Sequence, residues 1–170
     1  PTTRAFNKIQ LSFQSLFPNL QDGKDSFGAL WRGSLIGFVV GVLPGAGATI
    51  ASIIAYAVEK KVSKHPEKFG TGAIEGVAAP AGANNAAAGG AFVPMLTLGI
   101  PGSGTTAILM GALLLHGLRP GPMLFQTNPD FVWGLIASMY IGNVMLVILN
   151  MPLIGIWVSL LRVPYRIMMP

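Results

Sequence analysis

Residues 41–49 read Gly41-Val-Leu-Pro-Gly-Ala-Gly-Ala-Thr49, in the middle of an apolar segment, 33–58, that would otherwise make one helix. The pattern nearly returns 57 positions later: Leu43-Pro-Gly-Ala-Gly-Ala-Thr49 aligns with Ile100-Pro-Gly-Ser-Gly-Thr-Thr106. Proline removes a backbone N–H and ends the helical stretch before it. The glycines allow positive φ and let another segment approach the backbone closely. Each copy therefore predicts a helix that unwinds and starts again. The restarted half-helix begins with free N–H groups and the positive end of its dipole. The hydroxyls of Thr49, Ser103, Thr105 and Thr106 stand where they can cap these ends or reach a ligand.

Composition identifies the solvent around these breaks. The 170 residues are 52% hydrophobic and 10% charged, with a mean hydropathy of +0.61, whereas a soluble domain carries about 25% charged residues. Between Phe69 and Leu118 the one charged side chain is Glu75, and between Phe131 and Leu161 there is none. Such stretches cannot cover a water-facing surface, so the expected fold is an all-α integral membrane protein. In hydrocarbon, irregular backbone survives only inside protein or against a water-filled cavity. Two broken helices are how many secondary transporters build a midplane site for an anion and a coupling cation.

Along the chain, residues 1–30 read as an amphipathic linker. Phe6, Ile9, Phe13, Leu16 and Phe17 recur every three or four positions, with Arg4 and Lys8 on the polar side. That helix would lie on the membrane interface or dock on its own protein. No signal peptide is expected, and the chain reads as a piece of something larger. Residues 31–170 form the expected membrane domain, with breaks around 44–47 and 101–104 and a continuous span at 131–161. Arg32 and Lys60-Lys61 flank the first broken segment, which places both its ends on the cytoplasmic side as a dip into the bilayer; a single broken crossing is the alternative. Residues 59–76 are a polar connector. The zone 77–118 is interrupted at Pro80, Pro94 and Pro101, residues 119–130 are a turn-rich loop, and Arg162 and Arg166 put the C-terminal end of the last span inside.

Asn84 and Asn85 lie side by side in an apolar zone, where an amide is costly unless bonded. They could hold a carboxylate on their NH2 groups, coordinate a cation through their carbonyls, or tie helices together. Glu75 borders the zone, either as a coupling group for protons or sodium or as a helix-start residue. With no Arg or Lys in the apolar zones, an anion would rest on helix N-termini, amides, hydroxyls and co-bound cations. Gly33, Gly37 and Gly41, spaced by four, read as a packing face. His116 reads as structural or interfacial and His65 as solvated. There is no cysteine and hence no thiol chemistry. No HExxH, phosphate-binding loop or nucleophile elbow is present, and Gly45-Ala-Gly47 lacks the later glycine of a dinucleotide fingerprint. The expectation is a protein that is no enzyme and needs no organic cofactor or structural metal. The dispersed basic residues are no nucleic-acid footprint.

Taken together, GVLPGAGATIASIIAYAVEKKVSKHPEKFGTGAIEGVAAP and GANNAAAGGAFVPMLTLGIPGSGTTAILMGALLLHGLRPGPMLF resemble the large membrane subunit of the tripartite tricarboxylate transporters, the TctA family, from about Trp31 to Pro170. The resemblance implies a multi-pass carrier in the bacterial inner membrane, driven by a sodium or proton gradient. Its partners would be a small four-helix membrane subunit and a periplasmic binding protein that delivers the carboxylate. It also implies a longer parent with two related inverted halves, of which this chain is much of the second. By the family's pattern, the substrate and cation region comprises the two turns, with Pro44, Gly45 and Gly47 in one and Pro101, Gly102, Ser103 and Gly104 in the other, together with Asn84 and Asn85; the hydroxyls read above add Thr49, Thr105 and Thr106. One position departs: after Ala78-Ala-Pro80 the family commonly has glutamate, and here Ala81 stands. The alternative is a non-transporting scaffold subunit whose small-residue faces serve only for packing.

Overall fold

The structure, a computed structural model, describes residues 19–160. The amphipathic pattern of 1–18 and the topology signals Arg162 and Arg166 lie outside the described residues, as do the side chains of Asp25 and 155–160. All regular structure among the described residues is helical: α1 (Leu20–Val42), α2 (Gly47–Val62), a 3-10 turn (Pro66–Lys68), α3 (Glu75–Leu98), α4 (Gly104–Leu115), α5 (Leu124–Thr127) and α6 (Pro129–Leu160). They fall into two units, Asn19–Val132 and a second that takes α6 from Trp133 onward.

α1 starts at a capping box. Asn19 Oδ1 accepts from the Leu20 N–H at 2.8 Å, and Asp22 accepts from the Asn19 N–H at 3.1 Å. Residues 20–30, read as part of a linker, are thus helical and continuous with the apolar segment. α1 stops at Val42, with Leu43 already extended ahead of Pro44. The chain turns over residues 43–46 and returns as α2. Arg32 on α1 and Glu59 on α2 meet across the pair. They stand ten and twelve residues from the turn, so the two helices form an antiparallel hairpin. At about 1.5 Å per residue its arms reach roughly 15–18 Å from ion pair to tip.

The prolines of α3 do not all act as breaks. The helix runs unbroken through Pro80 and Pro94 and ends only before Pro101. Each inner proline lacks one ladder N–H and frees the carbonyl four residues earlier, which packed membrane helices tolerate. Gly99, at φ 71°, closes the helix in the left-handed conformation, and its N–H donates to the Met95 carbonyl at 3.1 Å.

Inside the unit the core is small. Ala51 and Ala55 of α2 meet Ala83 and Ala87 of α3, with Ile36 and Val40 of α1 against them. Gly33, Gly37 and Gly41 form the packing face that their spacing predicts. A Cβ at these positions would fall 2.8, 2.5 and 2.6 Å from the Cα atoms of Ala79, Ala83 and Ala87. A second stripe interlocks beside the first, since a Cβ at Gly90 would lie 2.7 Å from the Phe38 carbonyl oxygen. The large side chains point the other way: Trp31, Leu35, Phe38 and Val39 of α1 and Ile50 and Ile53 of α2 are exposed. Small residues inside and large apolar residues outside invert the pattern that water selects, and suit a hydrocarbon solvent.

After α4, the Gly121 N–H donates to the Leu96 carbonyl at 3.1 Å, and Leu124 and Val132 are fully buried. The loop expected at 119–130 thereby folds onto the C-terminal end of α3, with the short α5 inside it. α6 starts with Pro129 at its first position and Asp130 in its first turn. Among the described residues it is the one helix long and apolar enough to cross a membrane, over Pro129–Ile154.

Candidate functional site

The two Pro-Gly-x-Gly copies touch. The Gly45 N–H donates to the Gly102 carbonyl at 3.1 Å, so the tip of the α1–α2 hairpin is bonded to the turn between α3 and α4. Gly102 is buried there. A Cβ on it would lie 2.9 Å from Ala91 Cβ and 3.1 Å from the Gly41 carbonyl oxygen. No side chain fits between α1, α3 and this turn.

Despite their shared sequence, the copies use glycine differently. Gly45 and Gly47 adopt φ of 83° and 68° with open space around them, so they are glycine for conformation. Gly102 has ordinary φ and is glycine for lack of room. Gly104, with nothing nearby, is the first residue of α4.

The half-helices also begin differently. α4 carries a complete capping box: Ser103 Oγ accepts from the Thr106 N–H at 3.2 Å, and Thr106 Oγ1 accepts from the Ser103 N–H at 2.8 Å. Thr106 is buried. Two of the hydroxyls with two readings are therefore caps. α2 begins at Gly47 with no side-chain cap, and Thr49 on α2 and Thr105 on α4 are exposed. Of the two helix starts, α2 is the one whose N–H groups no side chain covers. Removing the α4 cap with Ser103→Ala is expected to cost about 1 kcal/mol. A drop of several degrees in the melting midpoint of the purified parent, absent in Ser103→Thr, is the check.

The asparagines lie on the exposed side of α3. Asn85 donates its NH2 to the Ala81 carbonyl of its own helix at 3.0 Å. Asn84 makes no hydrogen bond among the described residues and is exposed. Neither ties two helices together among those residues. Seven positions separate Asn84 from Ala91, the residue that meets Gly102. They share one stripe of α3, about 10 Å apart along the axis. Asn84 is thus the freer amide, below the joined tips. Ala81 is exposed one turn before Asn85.

Glu75 stands in the first turn of α3, sixteen residues before Ala91 and about 24 Å from the tips along the helix. The structure does not bring it to them. His116 is the exposed C-cap of α4, and His65 is exposed, its Nδ1 3.2 Å from Glu67 Oε1. Among the described residues no group of three His, Asp or Glu side chains could hold a metal ion.

Sequence reasoning passed over Glu59. It is 1% exposed, and both its oxygens engage Arg32, Oε2 at 2.9 Å from Nε and Oε1 at 2.6 Å from Nη2. Its neighbours Lys60 and Lys61 made it look like the start of the solvated connector. The available signal was its register, since Ala51, Ala55 and Glu59 fall on one stripe of α2.

A small-residue core, an apolar exterior and a helix long and apolar enough to cross a membrane are features consistent with a membrane-embedded helical protein. The chain belongs to the tripartite tricarboxylate transporter TctA family, whose pattern matches residues 2–170, a family of transporters and not of enzymes. It is 51% identical over 156 residues to the uncharacterized 52.8 kDa protein in the TAR-I ttuC' 3'region of Agrobacterium vitis, covering 92% of this chain and 31% of that protein. It is 55% identical over 134 residues to the uncharacterized protein in the TAR-II ttuC' 3'region of the same organism, covering 79% and 55%. The chain thus spans about a third of one relative and about half of the other. No solved structure matches it.

Proposed function

We propose that this chain is part of a secondary carrier that takes up small carboxylates across the bacterial inner membrane. The joined Pro-Gly-x-Gly turns and Asn84 and Asn85 would form one wall of the substrate site. The observation that carries the reading is the Gly45–Gly102 hydrogen bond. It puts the uncapped start of α2 beside a second helix break, with the free amide of Asn84 below. A carboxylate there would meet backbone N–H groups at the positive end of a helix dipole, with amide donors replacing the absent Arg and Lys. Pro44, Gly47, Pro101 and Gly104 shape the breaks, while Thr49 and Thr105 offer exposed hydroxyls.

The depth of the hairpin supports the same reading. With Arg32 and the lysines after Glu59 at the cytoplasmic face, arms of about 15–18 Å carry the tip halfway through a hydrocarbon core of about 30 Å. Broken helices meeting at the midplane suit alternating access. The substrate would be a tricarboxylate such as citrate or a related smaller carboxylate, coupled to sodium or protons. A small four-helix membrane subunit and a periplasmic binding protein would complete the system. Residues 31–170 would be its membrane part, with residues 1–30 leading into it.

The test is uptake of radiolabelled citrate and a panel of di- and monocarboxylates by vesicles holding the full-length parent and both partners. Accumulation that needs an imposed sodium or proton gradient is expected for at least one acid. A correctly assembled complex that accumulates none of them under either gradient would favour the scaffold.

A further inference from the structure

We propose that Arg32 and Glu59 are a positioning pair, a strut across the open end of the α1–α2 hairpin that holds its tip against the turn at Gly102. The carboxylate is enclosed between the helices, 1% exposed, while the Arg32 side chain remains 43% exposed. The contact is bidentate, Nε to Oε2 at 2.9 Å and Nη2 to Oε1 at 2.6 Å. A planar fork on a carboxylate fixes separation and orientation together, which a single point charge does not.

Elsewhere Ile36 and Val40 of α1 and Ala48 of α2 pack against the cluster of Ala51, Ala55, Ala83 and Ala87, and apolar contact of this kind is less directional than the fork. Room for the guanidinium is built in, since a Cβ at Gly28, one turn before Arg32, would lie 3.2 Å from its Nη1. The hairpin is thus tied at both ends, by residues 43–46 at the tip and by the fork at the base. A rigid hairpin carries the geometry of its base to Gly45, ten to twelve residues away. Enclosing a carboxylate is costly and an ion pair is weak evidence for stability, so the role assigned to this half-buried pair is register and position. The strut concerns the geometry of the tip. Only its transport readout rests on the carrier reading.

The experiment uses the full-length parent with its partners in membranes, made cysteine-free outside the probes, with Ala46→Cys and Ser103→Cys beside the hydrogen-bonded glycines. Yield with a short bismaleimide reports the tip contact, and uptake is measured in the same variants without the cysteines. Glu59→Gln is expected to lower crosslinking at least fivefold and uptake at least tenfold at matched membrane expression. Arg32→Lys, which keeps the charge and loses the fork, should fall between. The exchange Arg32→Glu with Glu59→Arg should recover at least half of the crosslinking. Should Glu59→Gln fail to accumulate, Arg32→Lys and the exchange, which keep both charges, carry the test. Unchanged crosslinking in the fork-breaking variants, or an exchange that recovers nothing, overturns the strut. Crosslinking that follows the prediction in a parent that transports nothing keeps the strut and removes the carrier.

Discussion

Gly37→Val in the full-length parent is expected to abolish most of the folded protein in the membrane, reducing it at least tenfold. The branched Cβ would overlap the backbone of Ala83, from the middle of a seam in which Gly33 and Gly41 meet Ala79 and Ala87 in the same way. Backbone cannot rotate out of the way as a side chain can, so α1 and α3 must separate along their whole contact. Ordinary overpacking costs about 1–3 kcal/mol. Direct backbone overlap belongs at or beyond the top of that range, and 1.4 kcal/mol is already a factor of ten in the equilibrium. Gly111→Ala is the matched control. Gly111 lies inside α4 with nothing within 4 Å, and alanine is favoured over glycine in a helix interior by about 0.5–1 kcal/mol. Its melting midpoint should stay level or rise slightly. Equal behaviour of the two variants would mean that the seam is not where α1 and α3 meet.

Gly102→Leu is expected to reduce uptake at least a hundredfold while the protein still reaches the membrane. Here the obstruction is local. A side chain would run into Ala91 and the Gly41 carbonyl, prise the α3–α4 turn off the hairpin tip and break the Gly45–Gly102 hydrogen bond. The Gly/Ala seam below would remain intact. Gly45→Ala should be milder. Space around it is open, and the penalty is the left-handed conformation, about 1–2 kcal/mol for a residue with a Cβ. Uptake in Gly102→Leu within threefold of the parent, at matched expression, would mean that the joined tips have no part in transport.

These two variants separate what local sequence encodes from what it does not. The breaks at Pro44 and Pro101 and the packing role of Gly33, Gly37 and Gly41 follow from proline chemistry and fourfold spacing, both local. The meeting of the two copies is a contact between segments 57 residues apart, and no periodicity encodes it. Their unequal use of glycine was hidden because positive φ and lack of room select the same residue. Pro80 and Pro94 gave a false signal of interruption, since packing of α3 on the hairpin outweighs the loss of single ladder bonds. Glu59 was obscured by the lysines beside it, although its register matches Ala51 and Ala55. The two asparagines are alike in sequence, and only the fold distinguishes Asn85, bonded to Ala81, from the free amide of Asn84.

The most direct measurement is gradient-driven uptake by the full-length parent with Asn84→Ala, at matched expression and beside Asn85→Ala, with the transported acid and with and without sodium. The free amide below the joined tips is predicted to be essential, so Asn84→Ala should lose at least tenfold in uptake and lose more than Asn85→Ala. Undiminished uptake in Asn84→Ala would contradict the site and leave the joined turns as architecture alone.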